Sequence, residues 1–126
     1  MIPENLKYTK EHEWIKVDGD EAVIGITDHA QAELGDITFI ELPQEGNDIV
    51  KSASIATVES VKAASDVYSP LSGKIAGVNA ALEAEPEKMN QSPYADGWIC
   101  RISMTDVGEL EGLMDASAYE EFLKES

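Results

Sequence analysis

Lys62 is the side chain best placed for chemistry. It stands in Thr57-Val58-Glu59-Ser60-Val61-Lys62-Ala63-Ala64-Ser65-Asp66-Val67-Tyr68-Ser69-Pro70, where two alanines leave its amine clear of bulk that would hinder a modifying enzyme. On residue type alone such a lysine is most often a solvated turn residue. The other reactive groups offer less. His12 and His29 are the only imidazoles, and neither has a Cys pair or a second His beside it at metal-ligand spacing. No nucleophile elbow, phosphate loop or dinucleotide fingerprint is present, and Gly19, Gly25 and Gly35 are explained by a turn, strand packing and a helix stop. His12 reads as a structural or pocket-lining residue. Any single carboxylate among 25 acidic residues reads as a solvated charge.

The flanking elements decide how Lys62 is presented. Ala53-Ser54-Ile55-Ala56-Thr57-Val58 alternates as a strand does, and Asp66-Val67-Tyr68 begins a second run that Ser69-Pro70 closes. The interval is too short for a helix, which predicts a hairpin with Lys62 near its tip, projecting into water from a rigid mount. Upstream, the run ending at Val17 meets Asp18-Gly19-Asp20 and returns through Ala22–Ile26 as a first hairpin. Thr27 or Asp28 can cap a helix of about two turns that Gly35 stops. Ile37–Leu42 reads as a core strand ended by Pro43, and Lys74–Asn79 as another strand. Short helical turns are expected over Ala80–Glu85 and after Pro86. In Trp98-Ile99-Cys100-Arg101-Ile102, alternation places Cys100 on the face of Trp98 and Ile102, as a small core hydrophobe. Asp106–Met114 sets Leu110, Leu113 and Met114 on one helical face, weakened by two glycines. A final helix, capped by Asp115, carries an apolar stripe of Tyr119, Phe122 and Leu123. Many short strands with helices mainly at the end predict a β-rich α+β fold in a single domain over 1–126.

Nine Lys and Arg against 25 Asp and Glu give a formal charge of −16. Nucleic acid and anionic membrane surfaces are poor partners for such a chain, whereas basic protein surfaces are attracted to it. A single cysteine excludes an intramolecular disulfide and suits a reducing compartment, so any thiol chemistry has to come from a cofactor. No segment approaches membrane-spanning length, and the first residues, Met1-Ile2-Pro3-Glu4-Asn5, show no leader pattern.

Glu59-Ser60-Val61-Lys62-Ala63 closely resembles the lipoylation site of the glycine cleavage system H-protein family. Biotin carriers flank their lysine with methionines, so Val61 and Ala63 point away from them. The resemblance extends along nearly the whole chain in order and spacing. It includes Tyr8-Thr9-Lys10-Glu11-His12-Glu13-Trp14, Val23-Ile24-Gly25-Ile26-Thr27-Asp28, Leu34-Gly35-Asp36, Glu41-Leu42-Pro43, Ser69-Pro70-Leu71-Ser72-Gly73, Asn79, Leu82, Pro93-Tyr94 and Gly97-Trp98. It implies a flattened barrel-sandwich hybrid of the lipoyl/biotinyl carrier type, with a short helix after the first hairpin, C-terminal helices and the lysine hairpin exposed at one edge.

The same resemblance implies a carrier rather than an enzyme, with lipoate covalently attached to Lys62. An amide-linked lipoyl arm reaches roughly 12 to 14 Å at standard bond lengths. The implied partners are a glycine decarboxylase (P-protein) that loads an aminomethyl group, a folate-dependent aminomethyltransferase (T-protein), a flavin-containing dihydrolipoamide dehydrogenase (L-protein), and lipoyl-attaching enzymes. Glu13 and Asp66 match family positions that flank the loaded arm and are the expected arm contacts; Glu11 stands where some relatives carry serine. Two other readings stay open: an H-like protein relaying lipoyl groups to other lipoyl domains, and an acidic adaptor without cofactor. A bacterial cytoplasmic location and the mature form of a mitochondrial protein both fit.

Overall fold

Strands fill much of the first third of the chain, and the runs 13–15 and 24–26 within them are buried on both faces. A computed structural model describes residues 2–125; Met1 and Ser126, the two ends of the domain expected over 1–126, lie outside the described residues. β1 (Lys7–Tyr8), β2 (Glu13–Asp18) and β3 (Glu21–Ile26) form an antiparallel set. The β2–β3 turn puts Gly19 at φ 66, as a tight hairpin with glycine in its first central position requires. Successive side chains leave opposite faces of a strand, so Ile15 enters the core between the sheets while Trp14 enters a second, aromatic cluster. Gly25 pairs with Trp14 because a Cβ there would lie 2.5 Å from the indole ring.

α1 (Asp28–Leu34) follows, capped by Thr27, whose hydroxyl accepts from Ala30 N. Gly35 ends it at φ 80, ψ −157, a region open essentially to glycine alone. Next come β4 (Ile37–Glu41), β5 (Asp48–Ile49), β6 (Ser54–Ser60), β7 (Ala64–Tyr68) and β8 (Gly73–Val78). The short helices α2 (Ala81–Ala84) and α3 (Lys88–Gln91) lead to β9 (Cys100–Met104), a 3-10 helix (Val107–Gly112) and α4 (Ala116–Glu125). Among the described residues the strands make a six-stranded sheet, β1-β2-β3-β9-β8-β5, and a three-stranded sheet, β4-β6-β7. The sheets do not close into one barrel. Ile24, Ile75 and Ile102 from the larger sheet meet Ile40, Val58 and Val67 from the smaller one between them.

Two expectations are corrected. Trp98 does not share a face with Cys100 and Ile102: the Asn79 amide donates to Asp96 O (2.8 Å) and Trp98 O (2.9 Å), holding that segment out of the ladder. The strand starts at Cys100, both Ile99 and Cys100 are buried in the main core, and Trp98 joins the aromatic cluster. Cys100 is the expected core hydrophobe, its thiol pushed up to about 12 by burial. In the tail, the first helix is 3-10, consistent with two glycines too weak to hold a longer α-helix. At three residues per turn Leu110 and Leu113 align against the main core, and Met114 goes to the aromatic cluster instead. α4 forms as expected, with Asp115 Oδ1 accepting from Ala118 N at 2.8 Å. It docks through Tyr119, which stacks on Tyr8 with ring centroids 4.6 Å apart.

Candidate functional site

The β6–β7 hairpin carries Lys62 at its exposed tip, as expected. Its turn is closed by Ser60, whose N–H donates to Ala63 O at 2.8 Å while its hydroxyl accepts from Lys62 N and Ala63 N. The tip is also anchored from outside the hairpin, since Val61 N donates to Asp36 O at 3.0 Å. The lysine does not stand wholly free. Its stem lies over the end of α1, where a Cβ on Gly35 would sit 3.4 Å from Lys62 Cε.

Asn90 of α3 holds that support in place. Its amide donates to Gly35 O and Gln31 Oε1, each at 2.9 Å, and its carbonyl accepts from Ile37 N at 2.9 Å. Asn90→Ala should lower stability by about 1 to 3 kcal/mol, because it strips partners from groups around the buried Ile37. A lower denaturant midpoint with unchanged slope checks this.

The two expected arm contacts share one cleft but differ in burial. Glu13 is 2% exposed, so its reading as one more solvated charge does not hold. Its carboxylate accepts from Thr9 Oγ1 (2.7 Å) and from Tyr68 N of β7 (3.2 Å). Thr9 in turn accepts from Glu11 N and Glu13 N, folding residues 9–13 into a tight loop. Burial pushes the Glu13 carboxyl up to about 7 against the lowering effect of those hydrogen bonds. Asp66 is exposed and accepts from Thr57 Oγ1 at 3.1 Å. Both line a cleft of about 260 Å³ with an acidic rim that includes Glu11 and Glu33 and an apolar floor that includes Ile26 and Val58. A neighbouring cleft of about 190 Å³, lined by Tyr8 and Met114, also touches Glu13 but not Asp66.

His12 lines the first cleft, with its backbone at φ 68, in the left-handed region. His12 N donates to Thr9 O and His12 O accepts from Thr27 N, which hold that conformation. Its Nδ1 lies 2.8 Å from the Tyr119 hydroxyl, and burial lowers its pKa below the usual histidine value.

A family sequence model described as glycine cleavage H-protein matches residues 6–126. The chain belongs to the glycine cleavage H-protein family. The glycine cleavage system H protein of Halothermothrix orenii is 52% identical over 124 residues, covering 98% of this chain and 97% of that protein. That of Thermus thermophilus is 50% identical over 123 residues, covering 98% and 96%. The crystal structure of the H protein from Mycobacterium marinum superposes with a TM-score of 0.86 at 37% identity and covers 98% of both chains. The H-protein fold expected from the sequence is therefore the one observed. Membership makes this chain a lipoate-carrying shuttle component of the glycine cleavage system rather than a catalyst. None of the described helices is long and apolar enough to cross a membrane.

The family motifs did not single out Asn90, Tyr119 or Glu33. Each acts on residues 4 to 107 positions away by number, through Gln31 and Gly35, His12, and His29 respectively. Only the i,i+4 spacing of His29 and Glu33 on α1 is a local signal. Thr9 had one too, the hydroxyl-to-backbone turn that threonine commonly forms two residues on.

Proposed function

We propose that Lys62 carries the lipoyl group by an amide at Nζ, and that the cleft holding Glu13 and Asp66 receives the arm. The observation that carries this reading is the pairing of an exposed lysine on a doubly anchored hairpin with a nearby cleft of mixed lining. The fit is chemical: the apolar floor suits the methylenes of an eight-carbon acid, and the acidic rim suits an amine at its far end. The group supplies the dithiol on which the one-carbon unit of glycine travels. The chain's own residues present it and shelter it.

Ser60 and Asp36 restrain the tip, so the attached arm swings from a fixed point and its reach is set by the arm. Glu13 supplies a carboxylate with partial exclusion of water, where an opposite charge is felt more strongly than at the surface. Family membership implies the P-, T- and L-proteins as partners, each needing access to the arm; the strongly acidic surface would favour basic docking faces on them. The whole chain would act as one carrier domain over 1–126, in the cytoplasm of a bacterium like the relatives named above.

Peptide mass spectrometry of the protein from its native cell tests the attachment. Lipoate on Lys62 is the expected finding; an unmodified or biotinylated Lys62 overturns it. Glycine-dependent carbon dioxide exchange with the decarboxylase separates glycine cleavage from a relay-only role, in which exchange is absent.

A further inference from the structure

At the edge of the arm cleft, which His12 and Glu33 help to line, the fold assembles a cluster whose two imidazoles have no part in the carrier reading. One donor atom from each of His12, His29 and Glu33 lies within 4.8 Å of the other two. His29 and Glu33 occupy successive turns on one face of α1, with His29 Nε2 2.6 Å from Glu33 Oε1. His12 comes from the loop before β2, and its ring centroid is 4.4 Å from that of His29. From these positions we propose that His12, His29 and Glu33 form a binding site for a divalent transition metal of the Zn²⁺ class.

The donor set is chemically apt. Two imidazoles and one carboxylate are a recurrent zinc set that leaves a coordination position open for water or another ligand. Imidazole selects for zinc and its neighbours over the hard cations that the protein's many carboxylates attract. With His12 Nδ1 engaged by Tyr119, Nε2 is the nitrogen left for a cation. Ligating histidines characteristically have the second nitrogen tied in this way, which fixes the ring's orientation.

The support extends further. The Tyr119 hydroxyl also lies 2.9 Å from Thr27 Oγ1, and Thr27 accepts from Ala30 N. One chain of hydrogen bonds thus links α4, the His12 loop and the first turn of α1. The positive φ of His12 is a further sign that the loop is held to aim this ring, since such backbone persists only where its surroundings impose it. Tyr119 is a positioning residue in this scheme, touching the ligand and not the metal.

Isothermal titration of the full-length protein with ZnCl₂ tests the site, after chelator treatment and with excess Mg²⁺ to occupy the surface carboxylates. One saturable equivalent is expected, together with a Zn²⁺-dependent rise in melting temperature. His29→Gln lies on the outer helix and should keep the fold by circular dichroism while losing both responses. Tyr119→Phe should retain one equivalent with affinity reduced by about 10- to 100-fold. Failure of the wild type to saturate overturns the proposal. So does binding that is equal in wild type and His29→Gln, which would assign the cation to the acidic surface. Neither outcome bears on lipoylation of Lys62, which mass spectrometry reads separately.

Discussion

Lys62→Arg is expected to abolish shuttle function completely while leaving the fold untouched. Arginine keeps the positive charge and the long aliphatic stem that lies over Gly35, but its guanidinium stays protonated and forms no amide with a lipoyl donor. The residue is exposed at a hairpin tip whose hydrogen bonds are made by backbone groups and Ser60, so stability should stay within about 0.5 kcal/mol of wild type. Lipoylation also has a signature independent of activity: acylating the amine removes one positive charge near neutral pH. Wild-type protein incubated with a lipoyl ligase should therefore move on anion exchange, and Lys62→Arg should not. Glycine-dependent carbon dioxide exchange should fall to the level without carrier. Full exchange in the variant would favour an acidic adaptor that uses no cofactor.

The second large effect is expected at Glu13, where stability and function pull in opposite directions. A carboxyl raised from an ordinary 4.5 to about 7 binds its proton more tightly in the folded than in the unfolded chain. Stability therefore falls as pH rises from about 4.5 through about 7, and the full penalty is present above that. Its size is about 3 kcal/mol, at 1.36 kcal/mol per unit. Glu13→Gln removes the charge and can keep an acceptor for Thr9 or Tyr68, so with chelator present it should be stabilised by up to about 3 kcal/mol at pH 8. The two proteins should converge near pH 4. Urea midpoints across that range check this, and a difference that does not depend on pH would remove titration of Glu13 as its cause.

A buried carboxylate that destabilises the empty protein is useful if a cation comes to meet it. An amine at the end of the arm would pair with Glu13 and be held in its ammonium form, whose nitrogen has no lone pair to expel the neighbouring sulfur. Glu13→Gln should then release formaldehyde and ammonia from the loaded carrier about tenfold faster, as a shift of one unit in the amine would give. Asp66→Asn should do less, because Asp66 is exposed and water screens its charge. Equal decay in Glu13→Gln and wild type would show that the carboxylate does not shelter the arm.

The features legible in the sequence depend on residues a few positions apart. The Lys62 hairpin, the Gly19 turn, the Thr27 cap and the Gly35 stop of α1 all follow from local torsional and hydrogen-bonding preferences, and each is found where expected. Local signals failed where distant groups competed. Asn79 pulled Trp98 out of the alternation that would have aligned it with Cys100, and the glycines at 108 and 112 tightened an expected α-helix into 3-10. The sequence by itself thus determined the carrier family, the β6–β7 hairpin and the place of Lys62 at its tip, because those rest on residue types and short spacings. Tertiary structure alone decided that Glu13 is buried against β7 rather than solvated, since Tyr68 N reaches it across 55 positions. It alone brought His12 to His29 and Glu33, because the β2–β3 hairpin doubles the chain back and Thr27 N bonds His12 O at its base, and no linear spacing encodes that return.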